Sequence, residues 1–116
     1  MTTTFHLALA AEWSAAMGQD TYAPAAFERE GFIHCTDGAD EMVATANRHY
    51  LRHPGPFVVL ELDLTLVDVP VVYDDERRIY PHVYGRLPRV AVVRELEIAR
   101  ADDGAFLSIG DATGPS

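Results

Sequence analysis

The run His53-Pro54-Gly55-Pro56 divides this chain into two unlike halves. Two prolines around a glycine can continue neither a helix nor a central strand. Before the run, helix-period and strand-period segments alternate. After it, every periodic segment alternates as strands do.

Residues 3–10 read as a half-buried strand, with Phe5, Leu7 and Leu9 toward the core and Thr4, His6, Ala8 and Ala10 opposite. Ala10 to Met17 reads as a short helix with Trp13 and Met17 at i, i+4, stopped by Gly18. Pro24 can open a second short helix to Glu30, closed by Gly31. Residues 31–36 form a strand with Phe32, His34 and Thr36 on one face, Ile33 and Cys35 on the other. Asp37 reads as the N-cap of a helix over about 38–51, in which Met42, Val43, Ala46 and Tyr50 recur at helical spacing. Strands follow at 57–64, with Val58, Leu60, Leu62 and Leu64 as the buried face, then at 69–73 as an edge, and at 80–87, 90–98 and 105–109. Helices gathered in the first half and strands in the second predict an α+β fold rather than a βαβ repeat. The 116 residues suit one domain, 1–116, with a core over about 3–109 and a flexible tail at 110–116.

Charge narrows the function. Nine basic residues face 18 acidic ones, a net charge of −9, and both halves share the excess. Nucleic acid and anionic membrane surfaces want a clustered positive face, which this chain lacks. All nine basic residues are Arg, so lysine Schiff bases and phosphate loops of the GxxxxGK[ST] type are excluded. No serine sits in a GxSxG turn. Cys35 is alone and cannot form an internal disulfide, and no apolar run approaches a membrane span or a secretory leader. A reducing, cytoplasmic setting is therefore expected.

The candidate site consists of strand histidines. His6, His34 and His82 each lie on the side of a strand away from its more apolar face, His34 with Thr36 and His82 with Tyr84. If the strands pair suitably, one surface presents them together, with donors, acceptors and groups that titrate near neutrality. His49 and His53 have the i, i+4 spacing of a helical metal pair, but the position before Pro54 disfavours helix and no third ligand is apparent, so no metal is expected. Cys35 reads as a small buried hydrophobe, and Asp74-Asp75-Glu76 as a charged turn.

His6-Leu7, Glu12-Trp13, Tyr22, Gly31-Phe32-Ile33-His34-Cys35-Thr36, Asn47 to Tyr50, and Pro81-His82-Val83-Tyr84-Gly85-Arg86-Leu87-Pro88 together resemble the bacterial family known as domain of unknown function 952, over about residues 3–98. That family is grouped by fold with the ADP-ribosyltransferases. The resemblance implies a split, strongly curved β core whose cleft holds NAD, ADP-ribose or a related nucleotide. It implies that His6 and Tyr22, with Trp13, position the dinucleotide, and that His34 and Thr36 contact ribose or phosphate. His82 is then the acid or base, oriented by Tyr84. An enzyme of this kind transfers ADP-ribose or cleaves NAD. Where those enzymes carry an aromatic–Glu pair, this chain has Tyr73-Asp74. A non-enzymatic module for a small metabolite, and a structural or interaction protein, are the alternatives. The residues alone do not choose between them.

Overall fold

The computed structural model describes residues 2–110. Strand β1 (Thr3–Leu9) runs directly into helix α1 (Ala10–Ala15). The short strand β2 (Thr21–Tyr22) and the single turn α2 (Phe27–Glu30) follow, then β3 (Ile33–His34) and the main helix α3 (Ala39–His49). The second half is strands joined by turns and two 3-10 turns: β4 (Phe57–Asp63), β5 (Val71–Tyr73), β6 (Pro81–Val83), β7 (Leu87–Pro88), β8 (Val92–Leu96), β9 (Ile98–Arg100) and β10 (Phe106–Ile109).

All pairings are antiparallel. One sheet has the order β1-β4-β8, with β4 in the middle; another has the order β3-β6-β5. Strands β2 and β7 pair with each other, as do β9 and β10. The two three-stranded sheets are tied at one point. Phe5 and Thr36 exchange both backbone hydrogen bonds, at 3.0 and 2.7 Å, on the edge of β1 that β4 leaves open. This tie brings β3, and with it β6, alongside the first strand.

Several sequence expectations change in detail. β1 and β4 are buried on both faces. Ala8, Leu60 and Leu62 join the main core with Tyr22, Ile33, Val83 and Leu87, while Val59 joins Met42 and Leu96 in a second cluster against which Phe5 and Leu7 pack. The face of His6 is thus an interior face, because β2 and β3 cover what an isolated hairpin would expose. Asp37 does not cap α3. Its carboxylate accepts from Tyr73 Oη at 2.7 Å, and Gly38, at φ 88°, makes the turn into the helix. The α2 helix begins at Phe27, since Pro24 to Ala26 are spent on a turn. The long strand expected at 90–98 breaks at Glu97, and Ile98–Arg100 instead forms a hairpin with β10 around Asp102-Asp103-Gly104. The tail expectation for 110–116 lies outside the described residues beyond Gly110. Among the described residues, no helix is long and apolar enough to cross a membrane.

Candidate functional site

A cleft of about 860 Å³ opens between β1, β3, β6, α3 and the turns beside them, and all five histidines of the chain line it. They reach it from β1 (His6), β3 (His34), the last residue of α3 (His49), the loop after it (His53) and β6 (His82). Arg29 and Arg48 supply cations to the same walls; Glu12, Glu30, Asp74 and Asp75 supply carboxylates; Phe32, Tyr50, Phe57 and Tyr80 supply aromatic surface.

His6 is the innermost. It is 5% exposed, and both ring nitrogens are engaged. Nδ1 lies 2.7 Å from the His34 carbonyl oxygen and Nε2 3.0 Å from Tyr22 Oη. A carbonyl only accepts, so Nδ1–H donates to it and Nε2 accepts from the phenol. Burial pulls the His6 pKa down to about 4, against the pull of the His34 carbonyl. The ring is neutral at pH 7. It fastens β1 to β3 and β2, and neither nitrogen is left for a ligand.

His34 and His82 face each other directly across the β3–β6 pair. Their rings meet edge to face with centroids 5.2 Å apart. Phe32 stacks on His82 at 4.2 Å and meets the edge of His34 at 4.7 Å. Each imidazole has a carboxylate at one nitrogen: Glu30 Oε1 is 3.1 Å from His34 Nε2, and Asp74 Oδ2 is 3.2 Å from His82 Nδ1. The second contact is off the hydrogen-bond line. Tyr84 Oη donates to the same Asp74 oxygen at 3.1 Å. Its phenol is pushed up, first by that bond and then by desolvation.

The neighbouring turn is rigidly built. Asp75 accepts from the backbone N–H groups of Ile79 and Tyr80 at 3.1 and 3.0 Å. Desolvation works against the charged form there, but these bonds outweigh it and hold the carboxyl below its usual range. Burial, the bond to Asp37 and its charge push the Tyr73 phenol up to about 12. Burial likewise pushes the Cys35 thiol up, so it remains a protonated wall group and not a nucleophile.

Of the residues singled out from sequence, His6, His34, Thr36 and His82 line the cleft. Trp13, Tyr22 and Tyr84 do not. Tyr22 is fully buried behind His6, and Trp13 packs edge-on against it at 5.4 Å with the Arg89 guanidinium 4.0 Å above the indole. Tyr84 is exposed and holds His82 only through Asp74, the two rings being 6.3 Å apart. The sequence assigns Glu30 and Phe32 no site role, and favours a charged turn for Asp74 over a general-base or ribose-binding set with Asp75 and Glu76. The signal for Glu30 is its place four residues before His34, with Gly31 in the left-handed conformation turning the chain between them. The signal for Asp74 is its match, after Tyr73, to the aromatic–Glu pair of the transferases. Among the described residues, no group of three or more His, Cys, Asp and Glu side chains is arranged to hold a metal ion.

Residues 7–95 match the model of a family described as Protein of unknown function (DUF952). Two crystal structures of protein CC0527 from Caulobacter crescentus, one of a double mutant, resemble this chain with a TM-score of 0.75 at 24% identity, covering 91% of this chain and 94% of that one. Its solution NMR structure gives 0.69 at 25% identity, with 90% of each chain covered. No curated protein matches.

Proposed function

This chain belongs to the DUF952 family, and we propose that its histidine cleft binds a nucleotide of the NAD or ADP-ribose class in a reducing, cytoplasmic setting. One observation carries the reading: four histidines besides the structural His6, from three separate stretches of backbone, converge with it on one hollow.

The hollow has the size of pockets that enclose small ligands. Arg29 and Arg48 offer the cations a diphosphate needs in an otherwise acidic protein. Phe32 and Tyr80 offer flat apolar surface for a base or a nicotinamide ring. The Thr45 hydroxyl, also in the wall, is buried and makes no hydrogen bond to the protein. The fold grouping of the family with ADP-ribosyltransferases supports the same reading by analogy. In it, His34 and Thr36 meet ribose or phosphate, and His82 with Asp74 exchanges a proton at the ribose. Tyr84 steadies Asp74. His6, Tyr22 and Trp13 support the wall from behind.

Calorimetry of the full chain with NAD and ADP-ribose tests binding. Saturable heat that His34→Ala and His82→Ala weaken is the expected result; a folded sample silent at millimolar ligand refutes it. Release of nicotinamide from NAD separates a transferase or NAD-cleaving enzyme from a binding module. One feature favours the module: Asp74, at the position of the transferase Glu, is already engaged by His82 and Tyr84.

A further inference from the structure

His34 and His82 stand side by side, each with a carboxylate at one nitrogen, hydrogen-bonded at His34 and approaching off the hydrogen-bond line at His82. Glu30 occupies Nε2 of His34 and Asp74 approaches Nδ1 of His82. Nδ1 of His34 and Nε2 of His82 make no hydrogen bond within the described residues, so each ring keeps one nitrogen for a ligand. A carboxylate at one nitrogen orients the ring and steadies its imidazolium, so each ring can give or take a proton at the other. Two such rings with centroids 5.2 Å apart can serve the two ends of one reacting group.

The surroundings select the bond. Cleavage of a glycosidic bond needs a carboxylate facing the sugar cation. Here Glu30 and Asp74 are turned to the imidazoles, Asp75 to the backbone N–H groups of Ile79 and Tyr80, and Glu12 to that of Ala25. Displacement at phosphorus needs a proton acceptor for the attacking oxygen, a donor for the leaving oxygen and cations for the phosphoryl oxygens. Arg29 and Arg48 line the same hollow. The net charge of −9 repels a long polyanion, so the substrate is small.

We propose that His34 and His82 are an acid–base couple that hydrolyses a small cyclic phosphodiester, closed between neighbouring ribose hydroxyls of a mononucleotide. His34, the more exposed ring at 54% against 21%, takes a proton from water as the water oxygen bonds to phosphorus. One ring P–O bond breaks, and His82, walled by Phe32, gives its proton to the departing ribose oxygen. The product is a ribose monophosphate with a free neighbouring hydroxyl. Solvent returns one proton to His82 and takes one from His34. Glu30 and Asp74 are positioning residues. The inference rests on the reading that a nucleotide enters this cleft.

The four 2′,3′-cyclic nucleoside monophosphates are the probes, followed by phosphorus NMR. Wild-type protein is expected to open at least one of them. His34→Gln and His82→Gln are each expected to slow it about 10²–10⁴-fold, the usual worth of a positioned acid or base, with little change in Tm. Glu30→Gln and Asp74→Asn are expected to lower kcat more than they raise KM. If His82→Gln melts early, the more exposed His34 carries the test alone. No turnover in a folded sample that binds NAD or ADP-ribose overturns this inference and leaves the binding reading standing. Turnover without NAD or ADP-ribose binding supports it and overturns that ligand assignment. Neither heat nor turnover removes both, and full activity in both His→Gln variants removes the couple.

Discussion

His6 should make this protein acid-sensitive over a defined window. Its folded pKa, about 4, lies below the ordinary 6.5 because the ring is buried. The unfolded chain therefore takes up the proton first. The His6 contribution is full above pH 6.5, is lost as pH falls, and stops changing below about 4. With 1.36 kcal/mol per unit, the loss is ~1 kcal/mol by pH 5.5 and ~2–3 kcal/mol by pH 4.5. A chain of 116 residues unfolds with an entropy near ~0.24 kcal/mol/K, so each kcal/mol moves Tm by ~4 °C. The His6 share of the acid shift is then ~10 °C by pH 4.5. Carboxylates add their own pH dependence, so the readout is the difference between wild type and His6→Gln, which keeps a polar end but does not titrate. Urea unfolding at pH 7.5, 6.5, 5.5 and 4.5 measures it. The variant is expected to be less stable at pH 7.5 and to close the gap by ~2–3 kcal/mol at pH 4.5. Parallel stability curves over that range would refute the assignment of His6 as a buried neutral ring.

Tyr22→Phe removes the donor to His6 Nε2 and leaves a buried acceptor unpaired, which should cost ~1–3 kcal/mol in urea unfolding at pH 7.5. Asn47 holds both backbone groups of Phe106, at 2.9 and 2.7 Å, and so docks α3 on β10; Asn47→Ala should cost ~2–3 kcal/mol, seen as a lower Tm and faster amide exchange in β10. A Cβ on Gly104 would lie 2.6 Å from the Leu51 carbonyl oxygen, at φ +96°, so Gly104→Ala should destabilise by ~2–4 kcal/mol in the same unfolding measurement. The last two sites are distant from His34 and His82 in sequence and make no contact with them, so nucleotide affinity at low temperature should survive both changes.

Most elements were legible in the amino-acid order, because period and punctuation are local. The alternation of β1 and β4, the helical spacing of α3 and the stop at Pro54-Gly55-Pro56 needed no partner strand to be legible. The inward turn of Ile33 and Cys35 was legible as well, since strand side chains alternate whatever lies beside them. Which strands are neighbours and what covers each face emerged from the folded arrangement alone. A period of two assigns sides without saying whether a side meets water, a second sheet or a cleft. Hence His6 lies locked between β2 and β3, its neighbours having closed over a face that looks open in isolation. Hence also Asp74, in a charged turn that reads as solvated, stands beside His82, because the β5–β6 pairing folds the turn back over the cleft. The partners of His6 come from distant points of the chain and that of His82 from across a hairpin, and neither kind of contact leaves a mark in local pattern.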